Sequence, residues 1–387
     1  MQNTTVLISG ASIGGPALAY WLAEYGFEVT VVERAPALRS GGQAVDVRGP
    51  ALEVAERMGV LEELRGLATD MRGMSMVDAG GNELYRSTEG TISGGDFATP
   101  DVEVLRDDLC HLLYRTAADR TEYLFDDSIT ALIQDANGVH VTFENAAPRT
   151  FDLVVGADGL HSNTRRLAFG PESDYITHLG SYVSVFTAPN YLGLDRWQVW
   201  HQDGTAGGAI MTARGNTEIR VFAGFETPEP VDYDHRDTEA QKKLVHDRLA
   251  GVGWEFPRAL EYMWDAADFH FDSMSQIHLD QWWRGRVVLL GDAGYCGSPM
   301  SGQGTSMAMV GAYVLAGELK AAHGDHRTAF PAYQDALRGY VADNQRLALT
   351  NKARAEARTG AAQGEALAET EFQDFGQVVN ALVLKGY

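Results

Sequence analysis

The stretch Thr5-Val6-Leu7-Ile8-Ser9-Gly10-Ala11-Ser12-Ile13-Gly14-Gly15-Pro16 decides the fold. Thr5 to Ser9 has the apolar, β-branched character of a buried strand, and glycines then turn the chain. Pro16 to Tyr25 reads as a helix with proline in its first turn and Gly26 as its stop. Phe27 to Val32 is the next strand. Strand, glycine turn, helix and strand make one βαβ unit, which implies a right-handed crossover and a parallel pair.

A helix start beside a glycine turn offers unpaired N–H groups and the positive end of the helix dipole. Gly10, Gly14 and Gly15 therefore let a pyrophosphate approach the backbone. The usual middle glycine is Ser12, which adds bulk but has a hydroxyl that can donate to phosphate. Glu33, with Arg34 beside it, follows Gly15 by eighteen residues. That is close to the roughly 20 at which a carboxylate accepts hydrogen bonds from ribose hydroxyls. Taken alone, this loop points no further than a dinucleotide.

Two later pieces narrow the reading to FAD. Gly156-Ala157-Asp158-Gly159 follows the apolar strand Leu153-Val154-Val155, so the Asp158 carboxylate can stand at a sheet edge near ribose, phosphate or nicotinamide, with Arg165 or Arg166 to balance it. An ordinary Asp-Gly turn is the alternative. Gly291-Asp292 ends the strand Arg286 to Leu290, where the carboxylate can accept from ribityl hydroxyls. Gly302-Gln303-Gly304 then opens a helix whose amides can stabilise negative charge on a flavin edge, with Pro299 as a wall for the ring.

Between these motifs, Glu53 to Leu64 and Arg106 to Ala118 have helical periodicity. Val102 to Leu105, Ser128 to Gln134 and Val139 to Phe143 read as strands, the last two joined by an Asn137-Gly138 hairpin. From Tyr182 to Phe225 the pattern changes to short aromatic-rich strands, expected to form an antiparallel lobe inserted in the first. After Ala329 the chain is rich in helix formers, with breaks expected near Gly360 and Gly364. The expected fold class is α/β: a Rossmann-like domain with a parallel sheet, an inserted antiparallel-sheet substrate domain and C-terminal helices. Residues 1–75, 98–172 and 283–328 are assigned to the cofactor domain, 76–97 and 173–282 to the substrate domain, and 329–387 to the helical segment.

The 387 residues are enough for two lobes and a large core, and 45% hydrophobic content fits a globular chain. A formal charge of -22, from 31 Lys and Arg against 53 Asp and Glu, argues against nucleic acid and against stable association with an anionic membrane. No signal-peptide pattern opens the sequence and no apolar run is long enough to span a bilayer, so a cytoplasmic protein, monomer or homodimer, is expected. Cys110 and Cys296 have no metal-ligand spacing and read as buried thiols; no metal site is expected.

Jointly, these residues resemble the class A FAD monooxygenases with a para-hydroxybenzoate hydroxylase-like fold, from Val6 to about Gly317. That resemblance implies that Gly10, Ser12, Gly14 and Gly15 hold the pyrophosphate with Glu33 and Arg34 beside them. It assigns Asp158 and Gly159 to FAD and NAD(P)H, and Gly291, Asp292, Pro299, Gly302, Gln303 and Gly304 to the ribityl chain and ring. Arg106 matches an arginine that reaches the FAD ribose and phosphates. The segment from Gly41 to Arg48 looks like a flavin-passing loop of the branch that contains tetracycline-inactivating monooxygenases, making Gln43, Asp46 and Arg48 candidates; a surface loop is the alternative. The family's Gly-Asp-Ala-Ala-His is Gly-Asp-Ala-Gly-Tyr here, with Tyr295 in place of His.

The implied activity is hydroxylation of a phenolic, polyketide or tetracycline-like small molecule with FAD, NAD(P)H and O2, through a flavin C4a-hydroperoxide. The cofactor carries that chemistry, and no catalytic base is assigned. His201 is the polar substrate-pocket candidate, with a satisfied surface or core histidine as the favoured alternative; Tyr182, Phe186, Trp200, Met211, Phe222 and Phe225 are the apolar candidates, and at strand spacing these are equally plausible as core. Two other readings remain: a flavin reductase or dehydrogenase of the geranylgeranyl-reductase type, and a non-catalytic FAD protein that sequesters a ligand.

Overall fold

The computed structural model describes residues 3–89, 100–362 and 375–387. Its strands in chain order are β1 Thr5–Ser9, β2 Glu28–Glu33, β3 Ala44–Val47, β4 Gly73–Val77, β5 Glu83–Ser87, β6 Val102–Leu105, β7 Thr121–Phe125, β8 Ile129–Gln134 and β9 Val139–Phe143. They continue with β10 Arg149–Phe151, β11 Leu153–Gly156, β12 Ile176–Pro189, β13 Trp197–Asp203, β14 Ala206–Ala213, β15 Glu218–Glu226, β16 His270–Ile277, β17 Trp283–Arg284 and β18 Val287–Leu289. The helices are α1 Gly14–Glu24, α2 Pro50–Arg57, α3 Leu61–Gly66, α4 Arg106–Ala117, α5 Asn163–Phe169, α6 Thr238–Leu249, α7 Phe256–Met263, α8 Asp292–Tyr295, α9 Gly304–Ala321, α10 His326–Ala362 and α11 Phe375–Val379.

The first sheet has the order β17-β18-β11-β1-β2-β7, parallel except for the short edge strand β17. Chain order reverses at β1: α1 carries the chain outward to β2, while β11 and β18 lie on the other side. Parallel strands buried on both faces must be apolar throughout, as Val6, Leu7, Ile8, Leu153, Val154 and Val155 are. One face packs on α1 and α9, and the other on the β10-β9-β8 sheet through Val139, Val141, Phe143 and Phe151.

The second sheet has the order β16-β12-β15-β14-β13-β4-β5. It is antiparallel except where β13 pairs with β4 in parallel, a junction possible because β4 arrives from an earlier part of the chain. One face is covered by α6 and α7, whose Val245, Leu249, Phe256, Leu260 and Met263 meet Phe186, Ile210, Ile219 and Val221. Of the expected segment limits, 75/76 falls inside β4 and 328/329 inside α10.

Two helical expectations need correction. The helix expected over Glu53 to Leu64 is two helices, α2 and α3, separated at Gly59, whose φ of 74° ends α2 in a conformation glycine favours. The break expected near Gly360 is not there, because α10 runs through it to Ala362; Gly364 lies outside the described residues.

Helix α10 fastens the two lobes. Its Tyr333 hydroxyl meets the Tyr295 hydroxyl at 2.8 Å and donates to the Leu289 carbonyl at 3.2 Å, both in the first lobe. Its Lys352 Nζ donates to the Leu179 carbonyl of β12 at 2.6 Å. Tyr333→Phe removes a fully buried hydroxyl pair and is expected to lower unfolding stability by about 1 kcal/mol, measured by denaturant titration, without changing the fold by circular dichroism.

Candidate active site

The glycine turn works because two atoms come closer than any side chain would allow. A Cβ on Gly15 would lie 1.9 Å from the Gly10 carbonyl oxygen, so only glycine lets the first turn of α1 press on the end of β1. Gly10 has φ 107°, and a Cβ there would meet the Ala157 carbonyl at 2.5 Å. This contact seats the first motif against the second. No side chain caps α1 at Ile13, and its first turn contains no acidic residue, so the amide end is presented to the cleft.

Along one wall of that cleft stand Ala11, Ser12, Glu33, Leu38, Arg39, Arg106 and Cys110. Glu33 is oriented by the Ala11 and Ala35 amides, each donating to one carboxylate oxygen at 2.9 Å, which leaves lone pairs for a sugar hydroxyl. Arg34 is exposed next to it. The Ser12 hydroxyl lies 3.4 Å from Cys110 Sγ, against the wall of the cleft.

Arg106 is held by the Arg39 and Gly41 carbonyls at 3.0 and 2.9 Å, while its amide donates to the Gln43 carbonyl. Removal from water and the neighbouring Arg106 charge hold the Arg39 guanidinium below its ordinary pKa. Two guanidinium groups side by side favour an anion between them. Sequence reasoning missed Arg39 because nothing in its local pattern brings it to Arg106; the loop after β2 does.

Asp158 is tied into the chain around it. Its carboxylate accepts from Ser9 Oγ, Ser162 Oγ, Thr164 Oγ1 and the Thr164 amide, so it ties β1 to the start of α5. Arg165 bonds Glu172 directly at 2.5 Å and feels the Asp158 charge without an ion-pair contact, while Arg166 bonds Asn163. Gly159, with φ 82°, turns the chain beside it.

The third motif closes the other end. Gly14 packs under Leu290, and Gly291, with φ 62°, starts α8 against Ala308 of α9. Burial, then the Asp272 charge, raise the Asp292 carboxyl above the ordinary range. One oxygen of that carboxyl lies 3.8 Å from the Cβ position of Gly304, at the start of α9. Gly302 adopts a left-handed turn whose amide bonds the carbonyl of exposed Pro299. Tyr295 is fully buried against Tyr333 and Trp282, a packing position.

The fit to a flavin rests on polar groups that the chain buries and leaves unpaired. Among the described residues, both polar side-chain atoms of Gln303, which has no exposed surface, lack a hydrogen-bond partner, and so does Nη1 of buried Arg48, whose Nε forms a looser ion pair with Asp101 at 3.7 Å. Arg48 Nη2 pairs with Asp46 at 2.9 Å, its Nη1 lies 3.5 Å from the Cβ position of Gly302, and its amide bonds Ser306 of α9. Such groups cost free energy unless a ligand with complementary donors and acceptors meets them. A phosphate-seeking helix end, a ribose-seeking carboxylate, a cation pair and these buried groups therefore suit FAD.

The second sheet separates the pocket candidates by face. Tyr182, Phe186 and Phe225 pack in the core with α6 and α7. His201 is on the same side, with Nδ1 3.0 Å from the Val77 carbonyl and its ring near Trp254 and Phe256. Met211 and Phe222 have the opposite parity, which they share with Arg220 through the register Met211↔Arg220 and Ala209↔Phe222. Arg220 Nε donates to the Gly42 carbonyl at 3.0 Å, so this face looks toward the flavin-loop segment. Gln198 and Trp200 join it, linked by a 3.2 Å bond. Sequence reasoning missed Gln198 and Arg220; strand alternation at the Phe222 position signals both.

On the two-stranded sheet that begins just after Gln43, Asp46 and Glu103 are cross-strand neighbours on β3 and β6. Burial, with the Asp46 charge second, pushes the Glu103 carboxyl up to about 7, while Thr69 and Arg48 act in the opposite direction.

The chain matches the family model described as FAD binding domain over residues 3–342. It is 51% identical over 383 residues, 99% of its length and 100% of the other, to an uncharacterized protein of Mycobacterium tuberculosis. It is 42% identical over 341 residues to a flavin-dependent monooxygenase of an unknown prokaryotic organism, covering 88% of this chain and 87% of that one. The crystal structure of tetracycline destructase Tet(51) superposes over 100% of both chains, with a TM-score of 0.88 at 35% identity.

Gly15→Ala forces the first turn of α1 off β1 at a cost of about 1–3 kcal/mol, and the purified protein is expected to retain little flavin by its visible-to-ultraviolet absorbance ratio. The Glu103 carboxyl binds its proton more tightly folded than unfolded, so its contribution weakens stability as pH rises from about 4.5 through about 7. Glu103→Gln is expected to flatten that decline, seen as a gain in Tm over the parent at high pH that is absent at low pH.

Proposed function

The chain belongs to the FAD binding domain family of flavin-dependent monooxygenases, and from that footing we propose that it hydroxylates an aromatic, polyketide or tetracycline-like small molecule. In this reading NAD(P)H and O2 are the co-substrates and the cytoplasm, where NAD(P)H is supplied, is its compartment. Among the described residues no helix is long and apolar enough to cross a membrane. The observation that carries the proposal is a cleft in which the Gln303 side chain and Arg48 Nη1 have no hydrogen-bond partner among the described residues, together with a sheet face bearing Met211, Phe222, Gln198 and Arg220 that is bonded through Arg220 to the Gly42 carbonyl of the loop leading to Arg48.

Bound FAD supplies hydride acceptance from NAD(P)H and activation of O2 for transfer of one oxygen atom. The α1 amides at Gly14 and Gly15 hold its pyrophosphate, Glu33 its ribose, and Arg39 and Arg106, with Arg34 outside them, its phosphate charge. Asp158 and Gly159 shape the turn against which this end rests, and Asp292 receives the ribityl chain beside Gly291. The Gln303 side chain and the Gly304 amide would present donors to the ring edge, on a turn that Gly302 makes by bonding the carbonyl of Pro299 at its entry. Arg48, held by Asp46, adds positive charge there, and Gln43 shapes the loop. The lobe built on β12 to β16 then encloses the substrate against this loop and excludes water from it.

Tet(51) is a tetracycline destructase, and likeness over both whole chains supports testing tetracyclines beside simple phenols. The assay follows NADPH oxidation with and without each compound while tracing 18O2 into product. Stimulated oxidation with labelled product is expected; stimulated turnover with no label favours the reductase alternative, and bound ligand with a flavin that NADPH cannot reduce favours sequestration. Phe222→Ala is expected to raise KM about tenfold with flavin content unchanged, whereas His201→Gln, on the helix-covered face, leaves KM unmoved.

A further inference from the structure

Outside the flavin cleft, four titratable side chains from both lobes converge on one point. His161 follows the Asp158-Gly159 turn, Glu172 lies just after α5, His235 is on the segment between β15 and α6, and Asp272 is on β16. His161 Nδ1 lies 2.7 Å from Glu172 Oε1, and its Nε2 lies 3.0 Å from Asp272 Oδ1. The His235 ring packs on the His161 ring with centroids 3.8 Å apart. One ligating atom from each of His161, Glu172 and His235 lies within 4.8 Å of the others.

We infer that His161, Glu172 and His235 bind a divalent transition-metal ion of the zinc type. The donors are two imidazole nitrogens and one carboxylate oxygen, the borderline set that such ions prefer, and three protein ligands leave a position for water. The surroundings orient each donor. Asp272 accepts a hydrogen bond from His161 Nε2–H, a tautomer that leaves the Nδ1 lone pair facing Glu172, and Asp272 is itself held by Tyr233 Oη and the Ser273 amide. Arg165 holds Glu172 Oε2 at 2.5 Å and leaves Oε1 facing the histidines.

At 2.7 Å, His161 Nδ1 and Glu172 Oε1 share a hydrogen bond when the imidazole carries a proton there; a metal ion replaces that proton by seating beside the pair as the two donors move a few tenths of an ångström apart. A proton on His161 satisfies that nitrogen and Glu172 but gives His235 nothing to do. A metal ion engages all three donors. His161 and Glu172 are reached from solvent, with about a quarter of each side chain exposed, and His235 is exposed, so an ion has a path in. Occupied, the site ties the His235 segment of the substrate lobe to the turn that follows Asp158 in the flavin lobe.

The test uses the FAD-loaded protein after chelator treatment, titrated with Co2+ and followed by the ligand-field bands of the ion, then by Zn2+ displacement. One equivalent is expected to bind, with affinity lowered about tenfold or more by His235→Ala and by Asp272→Asn, and flavin absorbance unchanged. His235 is exposed, so its loss leaves the fold intact. No Co2+ band, or a band and stoichiometry that survive His235→Ala, overturns the assignment and leaves a proton shared by His161 and Glu172 as the occupant.

Discussion

A helix can offer its free amides to a ligand only if its first turn is pressed against the end of the strand before it. Here that contact is the approach of Gly15 to the Gly10 carbonyl, and a single methyl group would prevent it. Other parts of the cleft are referenced to it: Gly10 touches Ala157, Gly14 touches Leu290, and Ala11 donates to Glu33. The three glycine motifs, far apart in sequence, thereby meet at the carboxyl ends of β18, β11, β1 and β2. That is where chain order reverses and where an open parallel sheet leaves a crevice.

The second sheet contributes by parity. Residues at alternate positions of β13, β14 and β15 are divided between a helix-packed core and a face that reaches Gly42 through Arg220. A one-residue register shift would exchange those sets, burying Arg220 among Phe186 and Ile210 and facing Tyr182 toward the loop. The apolar load on the α6 and α7 side pins the register, so the same packing that stabilises the lobe selects the side chains its other face presents.

Charge is handled differently in the two halves of the cleft. At the α1 end, Arg39 and Arg106 sit together with Glu33 turned by backbone amides, an arrangement suited to phosphate and sugar. At the α9 end, Asp292 and Glu103 are held above the ordinary carboxyl range by burial, and Arg48 Nη1 has no hydrogen-bond partner among the described residues. A flat polar heterocycle with donors and acceptors along one edge suits that second environment.

The sequence by itself determined the βαβ unit, Glu33 at its end, the Asp-Gly and Gly-Asp motifs, Arg106 and the change to aromatic strands, because each rests on local periodicity or on glycines with a local task. It also pointed to Gln303 and Arg48 through family likeness. Only the tertiary structure decided that Asp158 is bonded by Ser9, Ser162 and Thr164 at the start of α5, that Arg39 joins Arg106, and that Met211 and Phe222 face the loop while Tyr182, Phe186, Phe225 and His201 do not. Cysteine spacing gave no hint of the cluster of His161, Glu172 and His235, since its members come from separate segments. Each of these outcomes depends on which remote backbone or side-chain atom lies within 3 to 4 Å, and chain-local patterns do not carry that information.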